Sequence, residues 1–271
     1  MFAKHALDSA ELSTIDGPFE LLCQSDRMGR EERVAHQVAA LEDIPLHWAV
    51  LKELARYSTN LLSGTLVPIG SVEFVRRAMQ LASVIEPGNL CYPHVLSGYL
   101  HRSLDECEAA AVKGRWFVKP TVTKAFTGFI FDTLKDPKRL PPDDRIQHNA
   151  FIALDGHTRV WRSEPVRWLS EVRYYVLEGA VLGEARYDDG PDKAPLPSRA
   201  VVQEMVDRYS ASSEAPVAYA IDIGVLDGGS TALVEVNDMW AVGFYSGTIT
   251  PRAYVTMLLK RWAQLAAYRV S

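Results

Sequence analysis

The sequence holds three cysteines in 271 residues, Cys23, Cys91 and Cys107, an odd number at wide spacings with no Cys-x-x-Cys pair. That pattern argues against a disulfide framework or structural zinc and for a reducing, cytoplasmic setting. The seven histidines, at 5, 36, 47, 94, 101, 148 and 157, contain no His-Glu-x-x-His, and they read as structural or surface residues. No apolar run approaches the roughly 18 residues of a membrane span. The opening stretch carries Lys4, Asp8 and Glu11 ahead of any long apolar segment, unlike a secretory leader. Lys and Arg number 29 against 34 Asp and Glu, a net charge of −5, so no global positive field is available for a nucleic-acid backbone. The chain also lacks a Gly-x-Ser-x-Gly elbow and a Gly-x-x-x-x-Gly-Lys-Ser/Thr loop, which removes the main support for serine hydrolase and P-loop readings.

What is present is an ordinary globular composition, 48% hydrophobic and 23% charged, in a length that suits one large or two modest domains. Two polar, proline-bearing stretches, residues 136–147 (DPKRLPPDDRIQ) and 188–198 (DDGPDKAPLPS), read as surface loops. Before residue 105 the pattern is mixed: a strand-like run over 45–50, a helical stretch from Glu53, and a helix capped by Ser71 and closed by Gly88. From Arg115 the segments RWFVKPTV, NAFIAL, TRVWRS, EVRYYVLE, AVLGEARY, AYAIDIGV and STALVEVN read as strands. Helices are expected over 199–209 and 251–268, the latter with Thr250 as cap and Pro251 in the first position. The sum is an α+β pattern dominated by antiparallel hairpins.

The most informative segment is 219–237, YAIDIGVLDGGSTALVEVN, where two alternating runs flank Asp227-Gly228-Gly229-Ser230. A turn centred between Gly228 and Gly229 sets Asp222 directly opposite Glu235, with Asn237 two residues along on the same face. Ile221, Ile223, Val225, Val234 and Val236 fall on the other face and read as core. Two carboxylates facing each other across a sheet repel unless something neutralises them, and oxygen-only ligands suit Mg²⁺. A solvated acidic hairpin face is the plainer alternative.

Asp222, twelve intervening residues and then Glu235-Val236-Asn237 resemble the C-terminal metal signature of ATP-grasp ligases. The resemblance implies that these three residues hold Mg²⁺ against the phosphates of ATP. Upstream, in the same order as in that family, Phe117-Val118-Lys119-Pro120 resembles the strand whose lysine contacts phosphate. Residues 164–171, EPVRWLSE, resemble the interdomain hinge. By that likeness the backbone around Glu164, Val166 and Arg167 meets the adenine edge and Glu171 binds the ribose hydroxyls, with Val166 a backbone donor because Pro165 has no N–H. The pattern, with VPIGSVEFVRR at 67–77, is most similar to a small clade of compact stand-alone ATP-grasp domain proteins, known mainly as predicted peptide or amino-acid ligases. It implies an ATP-grasp fold of antiparallel sheets with helices over residues 106–271, preceded by a small α/β N-terminal domain over 1–105.

This sequence departs from the better-known ligases in two places. Residues 121–128 (TVTKAFTG) hold one glycine where a phosphate-covering loop is often glycine-rich, leaving threonines, Lys124 and backbone amides to substitute. Ala220 stands two before Asp222, where dipeptide ligases tend to carry an oxyanion-stabilising arginine, so Arg173 and Arg186 become the catalytic candidates. Against that, a turn at Glu178-Gly179 pairs Glu171 with Arg186 and Arg173 with Glu184, simple cross-strand ion pairs. Trp116, Trp161, Trp168 and Trp240 read as core or pocket wall, Trp240 lining an acceptor pocket. The expectation is an enzyme using ATP and Mg²⁺ to join a small-molecule or peptide carboxylate to an amine, with neither nucleic acid nor membrane as partner. An ATP-binding sensor on the same scaffold is its rival.

Overall fold

The computed structural model describes residues 18–122, 125–188 and 190–268. Lys124 and the charged opening stretch with Lys4, Asp8 and Glu11 lie outside the described residues, as does Asp189 of the second proline-bearing loop. The chain begins with an α/β unit of β1 (Glu20–Gln24), α1 (Arg30–Leu41), β2 (Leu46–Ala49), a 3₁₀ turn over Leu51–Tyr57, α2 (Ser58–Ser63), β3 (Leu66–Ile69) and α3 (Val72–Leu81). Its three strands form a parallel sheet in the order β2-β1-β3, built on the fully buried Leu21, Leu22, Cys23 and Leu66. Ser71 caps α3, its hydroxyl accepting from Phe74 N at 3.2 Å. The helix stops at Leu81, well short of Gly88, with Ala82 closing it and Ser83 at a φ of 55°. The helical stretch expected from Glu53 divides into the 3₁₀ turn and α2, which Gly64 ends at a φ of 81°.

The rest of the chain makes two four-stranded antiparallel sheets. The first comprises β4 (Leu104–Glu108), β5 (Arg115–Pro120), β6 (Phe129–Asp132) and, after α4 (Pro142–Ile152), β7 (Arg159–Ser163), in the order β4-β7-β5-β6. Position 105, the boundary read from the sequence, falls inside β4. The second comprises β8 (Trp168–Leu177), β9 (Ala180–Arg186) and, after α5 (Arg199–Ser210), β10 (Ala218–Leu226) and β11 (Thr231–Asp238), in the order β11-β10-β8-β9. The long α6 (Pro251–Ala267), capped by Thr250 accepting from Ala253 N, packs on α1, β3 and β10 and so joins the N-terminal unit to the second sheet.

Two expectations are corrected in the first sheet. NAFIAL is not a strand: Asn149, Phe151 and Ile152 belong to α4, and the stretch 136–147 is not all loop but supplies that helix's first turns. Pro142 at the first helical position and Asp143 and Asp144 beside the positive end start the helix, and it buries His148 and Phe151, three residues apart.

The hairpin of β10 and β11 has the calculated register on its inner half, with Asp222 opposite Glu235 and Ala220 opposite Asn237. The turn itself centres on Gly228 and not between Gly228 and Gly229, pairing Val225 with Thr231 and Ile223 with Leu233, and a bulge between Asp222 and Ile223 then restores the calculated pairing. The extra residue changes the core list: Leu233 is fully buried with Ile221, Ile223 and Val236, whereas Val234 is half-buried and faces the cavity described below. A second bulge, between Tyr175 and Val176, shifts β8 against β9, so Arg173 lies opposite Ala185 and Val172 opposite Arg186. The cross-strand ion pairs Glu171–Arg186 and Arg173–Glu184 are therefore not formed. Along β8, Val172, Tyr174 and Val176 bury into a core with α5, while Glu171, Arg173 and Tyr175 take the opposite face.

Candidate active site

The two antiparallel sheets and the start of α1 enclose a cavity of about 880 Å³. Strand alternation brings Phe117 and Lys119 to it from β5, with Val118 turned into the core, and Glu171 and Arg173 from β8; from β11 come Glu235 and Asn237, with Val234 beside them at the bulge.

Its centre is a network of four charges and one amide. The Arg173 guanidinium donates bidentately to Asp222, at 2.8 Å to Oδ1 and 2.7 Å to Oδ2. Both partners are buried, Arg173 8% and Asp222 1% exposed. Burial alone disfavours the arginine's charge, but the Asp222 carboxylate more than offsets this and the net shift of Arg173 is upward. The cation also lies against two aromatic faces, 5.3 Å from the Tyr187 ring and 5.2 Å from the Tyr245 ring. Asn237 Nδ2 donates to Asp222 Oδ2 at 3.0 Å and to Glu235 Oε1 at 3.1 Å, so the amide bridges the carboxylates. Lys119 forms an ion pair with Glu235 and its ammonium lies 2.9 Å from Cys91 Sγ.

The residues expected around a nucleotide divide more unevenly. Residues 164–167 link the two sheets; Glu164, Pro165 and Val166 line the cavity, and the Val166 N–H has no backbone partner among the described residues. Arg167 is exposed and outside the lining, its carbonyl accepting from Asp227 N at 3.0 Å. Glu171 faces the cavity and accepts from the Tyr187 hydroxyl at 2.8 Å; burial raises its pKa, with Asp222 adding to the effect. Arg186 does not line the cavity. It forms a two-pronged pair with Asp188, at 2.8 and 2.6 Å, and Asp188 accepts from Glu171 N, so Arg186 braces the Glu171 backbone. Hydrogen bonds from Arg186 hold the Asp188 carboxyl well below the usual carboxylate range. Ala220 is fully buried and offers no charge.

Several lining residues carry no signal in the sequence. Arg102 donates to Leu233 O at 2.7 Å and Val234 O at 3.1 Å, with its guanidinium 5.4 Å from the Trp168 ring. Tyr92 is pushed up to about 12 by burial. From α1, Glu31 Oε1 accepts from Phe244 N at 3.0 Å, bringing the N-terminal unit onto the segment after β11. These residues lie in loops or at element ends, so no periodicity marks them. The aromatics Trp168 and Trp240 do line the cavity, as their place beside the strands implied.

Among the described residues no cluster of three His, Cys, Asp or Glu side chains could hold a metal ion. The acidic hairpin offers two carboxylates and a carboxamide. Each carboxylate oxygen accepts in about two directions, so the three bonds to Asp222 leave one free. Glu235 and Asn237 face the cavity directly. This hard-oxygen set fits Mg²⁺ chemically.

Two antiparallel sheets clasping a cavity between them, with a small parallel α/β unit in front, define the ATP-grasp fold. The match to an ATP-grasp domain family, family 3 of its clade, runs over residues 35–264, and the chain belongs to that family. Among solved structures, D-alanine–D-alanine ligase from Bacillus anthracis superposes with a TM-score of 0.54 at 12% identity, over 92% of this chain and 99% of that one. The same ligase complexed with ATP gives 0.53 at 11% identity, over 93% and 99%. The ATP-grasp ligase PsnB complexed with minimal precursor gives 0.50 at 13% identity, over 90% and 99%. At these identities the likeness is one of fold. No curated protein matches the sequence.

Proposed function

We propose that this protein is an ATP-dependent carboxylate–amine ligase. A carboxylate oxygen of the acid attacks the γ-phosphorus of ATP and ADP leaves. The amine nitrogen then attacks the acyl carbon of the acylphosphate, phosphate leaves, the nitrogen sheds a proton, and an amide remains. The observation that carries this reading is the convergence of Lys119, Arg173, Glu235 and Asn237 on one cavity beside the hinge in a chain of this family.

The cavity residues take these roles. The backbone of Glu164 and Val166 meets the adenine edge, with Arg167 holding the hinge from outside through its carbonyl, and Glu171 receives the ribose hydroxyls. Lys119 contacts phosphate oxygens, and Arg173, held rigid by Asp222 and two tyrosine faces, stabilises the charge that develops as the phosphoryl group and then the acyl carbon react. Arg186 acts through Asp188 on the position of Glu171. Mg²⁺ on Asp222, Glu235 and Asn237, when bound, supplies positive charge against the phosphates. The reading keeps a small N-terminal domain over 1–105, an ATP-grasp domain over 106–271, and a cytoplasmic setting.

One observation favours a second reading, an ATP-binding sensor without turnover: the cations of the site already pair with its acids, Arg173 with Asp222 and Lys119 with Glu235. ADP release separates the two. Glu235→Gln is expected to abolish acceptor-dependent ADP formation in a protein that still unfolds cooperatively; retained turnover would sink the metal assignment.

A further inference from the structure

Between the 3₁₀ turn over Met239–Ala241 and the start of α6 the chain forms neither helix nor strand, and side chains hold it in place. Tyr254 on α6 donates to Val242 O at 2.7 Å, and Tyr175 on β8 donates to Gly243 O at 3.0 Å. In the first turn of α1, Glu31 accepts from Phe244 N and Arg30 donates to Phe244 O, each at 3.0 Å. Tyr245 N then donates to the same Tyr175 hydroxyl at 3.0 Å. None of these five backbone groups has a backbone partner among the described residues, so side chains from β8, α1 and α6 set the path of 242–245. The Tyr175 hydroxyl bridges both sides of Phe244. It is fully buried, and burial pushes its pKa up to about 12, so near neutral pH it keeps the proton it donates. Tyr175 also lies two residues beyond Arg173 on the same face of β8, so one strand carries both the cation and the hydroxyl.

We propose that Tyr175 is a positioning residue for Arg173: its hydroxyl fixes residues 243–245, and so holds the Tyr245 ring on the Arg173 guanidinium. The inference deepens the ligase reading and rests on its assignment of Arg173 to the transferring phosphoryl group. Asp222 takes the Nε and Nη2 edge of the guanidinium, and Nη1 has no protein partner among the described residues. The Tyr245 ring, 5.2 Å from the guanidinium and lining the cavity, then limits how that plane tilts and where Nη1 points; the Tyr187 ring, 5.6 Å from that of Tyr245, meets the same cation at 5.3 Å. Such placement matters for catalysis, since a shift of about 1 Å in a reacting geometry costs on the order of 100-fold.

The test uses the full chain and reads binding, with ADP, Mg²⁺ and fluoroaluminate as the probe, because fluoroaluminate beside ADP stands in for the phosphoryl group in transfer and such mimics bind more tightly than ground states. Wild type, Tyr175→Phe, Tyr245→Leu, Tyr245→Phe and the double variant Tyr175→Phe, Tyr245→Leu are each shown to unfold cooperatively. The Kd for ADP with Mg²⁺ is then measured with and without fluoroaluminate. Wild type is expected to bind more tightly with it. Tyr175→Phe and Tyr245→Leu are each expected to lose about 10- to 100-fold of that tightening, while the Kd without fluoroaluminate stays within about twofold of wild type. The double variant is expected to lose no more than either single one, and Tyr245→Phe, which keeps the ring and the N–H, to recover most of what Tyr245→Leu loses. A merely structural hydroxyl would lower the urea midpoint of Tyr175→Phe and leave the tightening unchanged, and that result would overturn the inference. Losses that multiply in the double variant would overturn it too, as would ADP binding by wild type with no tightening. A folded wild type that binds neither ADP nor ATP would overturn the ligase reading and the inference together.

Discussion

At the scale of single residues, the centre of the site is a buried ion pair whose two members depend on each other. Removing one side of such a pair costs about 3–5 kcal/mol because the other charge is left buried and uncompensated. Arg173→Met is therefore expected to lower the unfolding free energy by about that amount in urea titration, and Arg173→Met with Asp222→Leu to recover most of it. An equal loss in single and double variants would show that the pair does not act as a unit. Glu32 is a different case: it is 1% exposed, and burial raises its pKa against the lowering effect of the Glu32 and Gly29 backbone N–H groups. The folded state then keeps its proton above the ordinary value of 4.5, where the unfolded chain releases it, so this stability is present below 4.5 and is lost as pH rises through the raised value. Glu32→Gln is expected to unfold at higher urea than wild type at pH 8 and at the same urea at pH 4; a difference of equal size at both would exclude the charge as its cause. The neighbouring Cys23 thiol is pushed up to about 12, by burial first and by Glu32 second. Nothing in the sequence marks Glu32 or Glu31, because the first-turn acids of a helix ordinarily read as solvated partners of its positive end.

At the scale of elements, local chemistry was the legible part. Asp227-Gly228-Gly229-Ser230 dictated a hairpin, but its turn centres on Gly228, pairing Val225 with Thr231, and Asp222 meets Glu235 because the bulge restores the calculated pairing; Thr250-Pro251 dictated a helix start. Ser71 is a cap of the same kind, and Ser71→Ala is expected to cost about 1 kcal/mol in urea titration; a change within error would mean that Gln24, whose Oε1 accepts from Ser71 N at 2.7 Å, holds the turn alone. The bulges were not legible. In β10–β11 a turn centred one residue differently puts Leu233 rather than Val234 in the core, and in β8–β9 a slip that begins away from the turn takes Arg173 away from Glu184. NAFIAL failed for another reason: a short apolar run fits a buried strand and a buried helix face equally, and the deciding Pro142 lies seven residues before Asn149.

At the scale of the whole molecule, the fold class came from motif order, since only Lys119, then the hinge, then the acidic hairpin links segments far apart in the chain. Periodicity did not reveal β1, α1, β3, β4 or β6, nor that β10 would insert between β8 and β11, because such pairings are decided by long-range packing. The cavity that results draws on both sheets and the N-terminal unit, so no single segment carries its signature. Calorimetric titration of ATP with and without Mg²⁺, into wild type and the double variant Asp222→Asn, Glu235→Gln, tests the central claim most directly. Binding in the micromolar range that strengthens with Mg²⁺ and is lost in a folded double variant is the predicted result. No binding by folded wild type under either condition would contradict the nucleotide site, leaving Asp222 and Glu235 as a carboxylate pair neutralised by Arg173 and Lys119.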